Sequence, residues 1–78
     1  MNFKEAFYQL KLGKKIKLPS WGGYWVWEDD TIMMYCKDGR IINIKDMENV
    51  NFTMENICSD DWILATEGNI KIKDVNNG

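Results

Sequence analysis

Apolar residues recur at helical spacing at the start of the chain. Phe3, Ala6, Phe7 and Leu10 stand at i, i+3, i+4 and i+7, with Lys4, Tyr8 and Lys11 on the opposite side. Asn2 precedes this run and Glu5 follows three residues later, a variant of the capping box in which a side-chain acceptor takes orphan amides of the first turn. Gly13 suits the left-handed position that closes a helix. The pattern predicts a helix over residues 2–12.

Beyond Gly13 the period shortens to two. "KKIKLP" alternates charge and apolar residue, predicting a short strand with Ile16 and Leu18 inward and Lys15 and Lys17 outward, stopped by Pro19. "SWGG" turns the chain, and "YWVWED" and "TIMMYC" are β-rich runs separated by an acidic turn. "KDGR" carries Asp-Gly, a strong hairpin signal. A two-residue Asp38-Gly39 loop sets Tyr35 opposite Ile42 and Met33 opposite Ile44 on one apolar face. Ile32, Met34, Cys36, Ile41 and Asn43 then share a mixed face. The side that Trp25 and Trp27 join depends on whether the acidic turn has two or three loop residues, because a one-residue slip reverses every side chain. "NVNF" reads as a short strand, Thr53 as the cap of one or two helical turns, "DWILA" as a strand and "NIKIK" as a last edge strand.

These elements make an α+β fold, one N-terminal helix packed on a small antiparallel sheet. A single domain is expected over 1–73, with a polar tail over 74–78. At 78 residues a lone core is near the lower limit of self-sufficiency, which makes self-association a natural supplement. More apolar and aromatic residues are present than one helix stripe can cover, so the second sheet face calls for a partner or a ligand.

Charge and rare residues narrow the chemistry. The first 17 residues hold five lysines against Glu5 alone, leaving five basic and eleven acidic side chains in the rest. That distribution lacks the domain-scale basic footprint of a DNA- or RNA-binding protein, yet it leaves room for one phosphate-sized anion. A solvated lysine face explains it equally. No apolar run is long enough for a signal peptide or a membrane span, so a cytoplasmic protein is expected. Cys36 and Cys58 are read as reduced thiols. The chain has no histidine, so zinc spacing, the usual general base and the usual activator of a nucleophile are all missing. Asp29-Asp30 and Asp60-Asp61 sit beside turns and read as solvated acids. Neither a catalytic constellation, a metal site nor a cofactor motif emerges.

The stretch "LPSWGGYWVWEDD" stands apart. Trp21 and Tyr24 beside Gly22 and Gly23 offer flat surfaces with room for a ligand to approach the backbone, and aromatic stacking of a base contributes about 1–3 kcal/mol. Equally, Trp21, Trp25 and Trp27 can simply fill the core and an oligomer interface.

The order of motifs resembles a small phage-associated family that includes the Thoeris anti-defence 2 proteins. The resemblance spans residues 2–65. It rests on Phe3, Ala6, Leu10, Lys11, Gly13, Lys14 and Ile16 in the opening pattern, then Trp21 with Gly23, then Asp61-Trp62. It implies a non-enzymatic sponge: a homo-oligomer, dimer or tetramer, holding a cyclic ADP-ribose signal in interface pockets, with cyclic dinucleotides as a second ligand class in some relatives. Carried onto this chain, it implies a ligand-binding set of Trp21, Gly22, Gly23, Tyr24, Lys17, Phe7, Asp60 and Asp61. Trp21 and Tyr24 would stack, Lys17 would meet a phosphate, and Asp60 or Asp61 would take a hydroxyl. The chain departs from many relatives in having Gly22 where asparagine follows the tryptophan and Lys17 where arginine is frequent. It also lacks the insertion that longer relatives carry before the closing motif. A protein–protein interaction module, or an inhibitor or toxin acting on a host protein, and a small carboxylate-based nucleotide hydrolase are the other classes weighed.

Overall fold

A computed structural model describes residues 1–72; Lys73 and the expected tail, 74–78, lie outside them. Helix α1 runs Phe3–Lys11. At its start Asn2 Oδ1 accepts the Glu5 amide at 2.9 Å and Glu5 Oε1 accepts the Asn2 amide at 3.0 Å, the reciprocal capping box. At its end the Gly13 amide reaches the Leu10 carbonyl and the Lys14 amide the Gln9 carbonyl, the bond pair of a Schellman motif.

Five strands follow: β1 (Ile16–Lys17), β2 (Tyr24–Glu28), β3 (Thr31–Tyr35), β4 (Ile41–Asn43) and, after helix α2 (Val50–Ile57), β5 (Ile63–Leu64). All neighbours are antiparallel in the order β4-β3-β2-β1-β5, which makes the fold α+β as expected. The first strand is therefore interior and the last lies at an edge.

The β2–β3 turn settles the register left open by the sequence. Glu28 pairs with Thr31 across a two-residue Asp29-Asp30 loop whose φ angles, 52° and 59°, are both left-handed, the twist that continues the strands. Trp25 and Trp27 consequently share a face with Ile32 and Met34. That face receives α1. Ala6, Leu10, Ile16, Trp25, Ile32, Met34 and Trp62 form the buried core. Phe3 meets Trp25 and Trp62 edge-on at 6.3 and 5.4 Å between centroids. Phe7, at the rim of the stripe, meets Trp27 at 5.6 Å, and Lys11 Nζ lies 4.4 Å above the Trp27 ring, a cation–π contact. Trp62, fully buried, donates its indole N–H to the Asn56 carbonyl and exchanges backbone bonds with Met1.

Five sequence expectations are corrected. The β3–β4 connection has three residues at its tip, Lys37, Asp38 and Gly39: Cys36 N–H bonds Arg40 O, and Tyr35 pairs with Ile41 rather than Ile42. Gly39 at φ 94° supplies the left-handed residue of that longer loop, and the slip exchanges the two faces. Met34 and Ile42 are the core-facing pair, while Met33 lies beside Asn43 on the other side.

"NVNF" is not a strand but opens α2, capped by Asn49, whose Oδ1 accepts the Phe52 amide at 3.0 Å. Thr53, expected as the cap, lies inside the helix and donates its hydroxyl to the Asn49 carbonyl. The described part of "NIKIK", 69–72, is no strand but a return segment, with the Lys71 amide bonded to Gly22 O at 2.7 Å. Finally, Lys17 is not outward in solvent. It points to the face opposite Ile16, where residues 65–72 fold back over it, and is 2% exposed.

The face opposite the core carries Tyr24, Val26, Met33 and Tyr35, each half-buried, and Ile41, exposed. Among the described residues, no helix is long and apolar enough to cross a membrane.

Candidate functional site

The loop between β1 and β2 shapes two adjoining cavities. Its Gly-Gly pair lies against backbone on both sides. A Cβ on Gly23 would stand 2.0 Å from Tyr35 O, and one on Gly22 would stand 2.7 Å from Lys71 O. Glycine is thus the residue that lets the loop lie flush on the end of β3 and on the return segment.

The first cavity, about 440 Å³, opens beside the core face, within the size range of small-molecule sites. Trp21, Trp25 and Phe52 supply aromatic walls, Met34, Ile42 and Met47 aliphatic ones, and Lys37 and Arg40 bring charge. Trp21 is half-buried, 5.4 Å from Trp25 and 5.3 Å edge-on to Trp62 between centroids. The tryptophan therefore serves core and cavity at once, uniting the two readings of the aromatic stretch.

The second cavity, about 560 Å³, is lined by Lys17, Pro19, Ser20, Trp21, Gly22, Lys37, Asn69 and Lys71. Ser20, Trp21, Gly22 and Lys37 belong to both. Asn69 frames this side: its Oδ1 accepts the Thr66 amide, its Nδ2 donates to Leu64 O, and its carbonyl accepts from Lys17 Nζ.

Of the residues proposed from sequence, Trp21, Gly22, Gly23 and Tyr24 line the first cavity and Lys17 the second. The Tyr24 ring stacks on Tyr35 at 4.9 Å and 12°, with Lys15 Nζ 4.8 Å from its centroid. Phe7 lines neither cavity, being held against Phe3 and Trp27 on α1. Asp60 and Asp61 also line neither; both are exposed in the bend between α2 and β5, where Ser59 Oγ accepts the Asp61 amide. Sequence reasoning missed Lys37, Met47, Phe52, Asn69 and Lys71. Lys37 follows from the hairpin once its register is right, whereas Phe52 was hidden by reading the start of α2 as a strand.

No family model, curated protein or solved structure matches this chain.

Two side chains that line the first cavity, Tyr35 and Cys36, have raised pKa values. Tyr35 donates its hydroxyl to Glu28 Oε1 at 2.7 Å, and that bond, with burial and the Glu28 charge, pushes its pKa up to about 12. Burial, aided by Asp38, pushes the Cys36 thiol up against the opposing pull of Arg40. The Arg40 backbone amide, with its guanidinium at 2.8 Å, holds the Asp38 carboxyl below its usual value. Cys36 is accordingly a poor nucleophile. Among the described residues, no group of three or more Cys, Asp or Glu side chains is gathered to ligate a metal.

Proposed function

We propose that this protein is a nucleotide sponge, binding a cyclic ADP-ribose-type immune signal without cleaving it and so withholding it from a Thoeris effector. The observation that carries the reading is the aromatic cavity beside Gly22 and Gly23, with Trp21 as a wall and Lys37 and Arg40 among its lining. A flat base fits between Trp21 and the neighbouring apolar side chains, and the burial of its faces would supply most of the affinity. The order of the opening and closing motifs supports the same reading through their resemblance to the anti-defence family.

Sequestration asks nothing of acids and bases, and the lining is consistent with that. Among the described residues no carboxylate lines the cavity, and the aspartate pairs considered for hydrolysis lie exposed elsewhere. Mechanistically the protein lowers free signal by mass action, so it must be present at stoichiometric amounts and bind more tightly than the effector; each tenfold in affinity is about 1.4 kcal/mol. Assembly as a dimer or tetramer in the host cytoplasm belongs to the same proposal, with the half-covered sheet face of Tyr24, Val26, Met33, Tyr35 and Ile41 as the surface a second copy would occupy.

Calorimetric titration against cyclic ADP-ribose isomers, linear ADP-ribose and cyclic dinucleotides tests this. Tight binding of one species, recovered intact after heat denaturation, is the expected result, and Trp21→Ala should weaken it while remaining folded. Silence across the panel refutes the sponge. Recovery of a cleaved product would point instead to a hydrolase. A protein-binding module is the second reading, favoured by Val50, Phe52 and Met54, which α2 leaves exposed while it buries Thr53 and Asn56.

A further inference from the structure

Lys17 occupies an unusual position. Its side chain is 2% exposed, yet among the described residues its ammonium has a single hydrogen bond, to the Asn69 carbonyl, and no carboxylate partner. An ammonium carries three donors, so two remain. Burying a cation without a counter-charge is costly, and an apolar side chain would serve an interior strand better. Around it the arrangement compounds the cost. Lys37 and Lys71 line the same cavity and, among the described residues, no carboxylate does, so three lysines share one cavity in a chain whose net charge is −2. Ser20 adds a hydroxyl to the lining. What relieves such a cluster is a multiply charged anion, which would accept the free Lys17 donors as charge-assisted bonds.

We infer that the lysine-lined cavity is an oxyanion site for a diphosphate group, and that it continues the aromatic cavity into one bipartite site for a nucleoside diphosphate. Ser20, Trp21, Gly22 and Lys37 line both halves, so a base held against Trp21 and a diphosphate held by Lys17, Lys37 and Lys71 are parts of a single bound molecule. The inference rests on the nucleotide reading above and assigns the polar half of the ligand. Lys17 is the fixed element, braced by Asn69. Lys37 and Lys71, both exposed, are the adjustable ones.

The test is titration with sodium pyrophosphate at low ionic strength, followed by amide chemical shifts, in the wild type, Lys17→Met and Lys14→Met. Saturable shifts at Trp21, Gly22, Lys37 and Lys71 are expected in the wild type. Lys17→Met, whose side chain is of similar length, should bind about tenfold or more weakly, the loss of a charged hydrogen bond, with a melting temperature no lower than the wild type. Lys14→Met should bind as the wild type does. Unchanged affinity in a folded Lys17→Met, or shifts spread over Lys4, Lys11 and Lys14, overturns the site. Should Lys17→Met fail to fold, Lys71→Gln carries the same readout: weaker pyrophosphate binding supports the site and unchanged binding overturns it.

A parallel titration with adenosine, read by tryptophan fluorescence, separates this inference from the one beneath it. Adenosine binding without pyrophosphate binding removes the oxyanion site and keeps the nucleotide reading. Pyrophosphate binding at Lys17 without adenosine or ADP binding keeps the anion site and removes the nucleotide assigned to it.

Discussion

Replacing Gly23 by alanine should cost far more than a methyl group ordinarily does. The position is buried, and its backbone is not left-handed, so the penalty is steric rather than torsional. The added Cβ would stand 2.0 Å from Tyr35 O, 3.0 Å from its carbonyl carbon and 3.1 Å from Cys36 Cα. All three are backbone atoms, so no side chain can swing aside. Restoring contact distance requires the start of β2 and the end of β3 to part by about 1 Å, which carries ladder bonds of about 2.9 Å out of hydrogen-bonding range.

The paired residues at that end are Tyr24 and Tyr35, whose rings are stacked. Losing two backbone bonds at about 1 kcal/mol each and weakening a stacking contact of about 0.5–1.5 kcal/mol sums to about 2–4 kcal/mol. For a domain of this size each kcal/mol moves the melting temperature by about 4–8 °C. Gly23→Ala should therefore melt at least about 8 °C below the wild type, or be unfolded outright. Thermal and urea denaturation followed by tryptophan fluorescence would read this, with Gly68→Ala as the control, since nothing crowds that position closer than 3.8 Å. A Gly23→Ala protein melting within about 2 °C of the wild type would refute the close approach and with it the shape assigned to the cavity wall.

Three further outcomes are expected. The Asp29-Asp30 turn holds two non-glycine residues at left-handed φ, so an Asn-Gly replacement should raise stability by about 0.5–1 kcal/mol in urea denaturation; a loss would show that the acids make compensating contacts. The raised Tyr35 pKa means that its stabilising contribution is fully present below the ordinary tyrosine value near 10 and is lost as pH climbs through about 12. Ultraviolet titration should find one late tyrosine in the folded protein, and Glu28→Gln should bring it back toward the ordinary value. Iodoacetamide should modify exposed Cys58 ahead of half-buried Cys36, whose thiol is pushed up; mass spectrometry after partial reaction decides the order.

The sequence was most informative where structure is local. Helix α1 is bounded by a capping box and a Schellman closure, both written in adjacent residues, and its stripe meets the sheet as spaced. Register was less accessible, because Asp-Gly suits a two-residue turn and a three-residue loop ending on left-handed glycine equally well. Arg40, which bonds Asp38 through both its amide and its guanidinium, accompanies the longer form. Of helix α2 only one or two turns from Thr53 on were expected, because its burial is inverted, with Thr53 and Asn56 inside and Val50, Phe52 and Met54 outside, so the usual apolar stripe is missing. Alternation placed Lys17 opposite Ile16 correctly but could not reveal that residues 65–72 return to cover it. Half of the candidate site was thus visible in "SWGG", and the other half depends on contacts about 50 residues away along the chain.

The position of β1 bears on how the chain acquires its structure. The first strand to be made is flanked by β2 and by the last strand, and Trp62, which joins Phe3, Trp21 and Trp25 in one aromatic cluster, comes late as well. A nascent chain that has emerged only through β4 possesses the β2–β3–β4 meander but not the core that α1 needs. Such long-range closure slows folding and leaves apolar surface waiting. Until Trp62 joins, α1 can cover Trp25 and Trp27 only in part, so the tryptophan-rich hairpin is the apolar surface left waiting for the end of the chain.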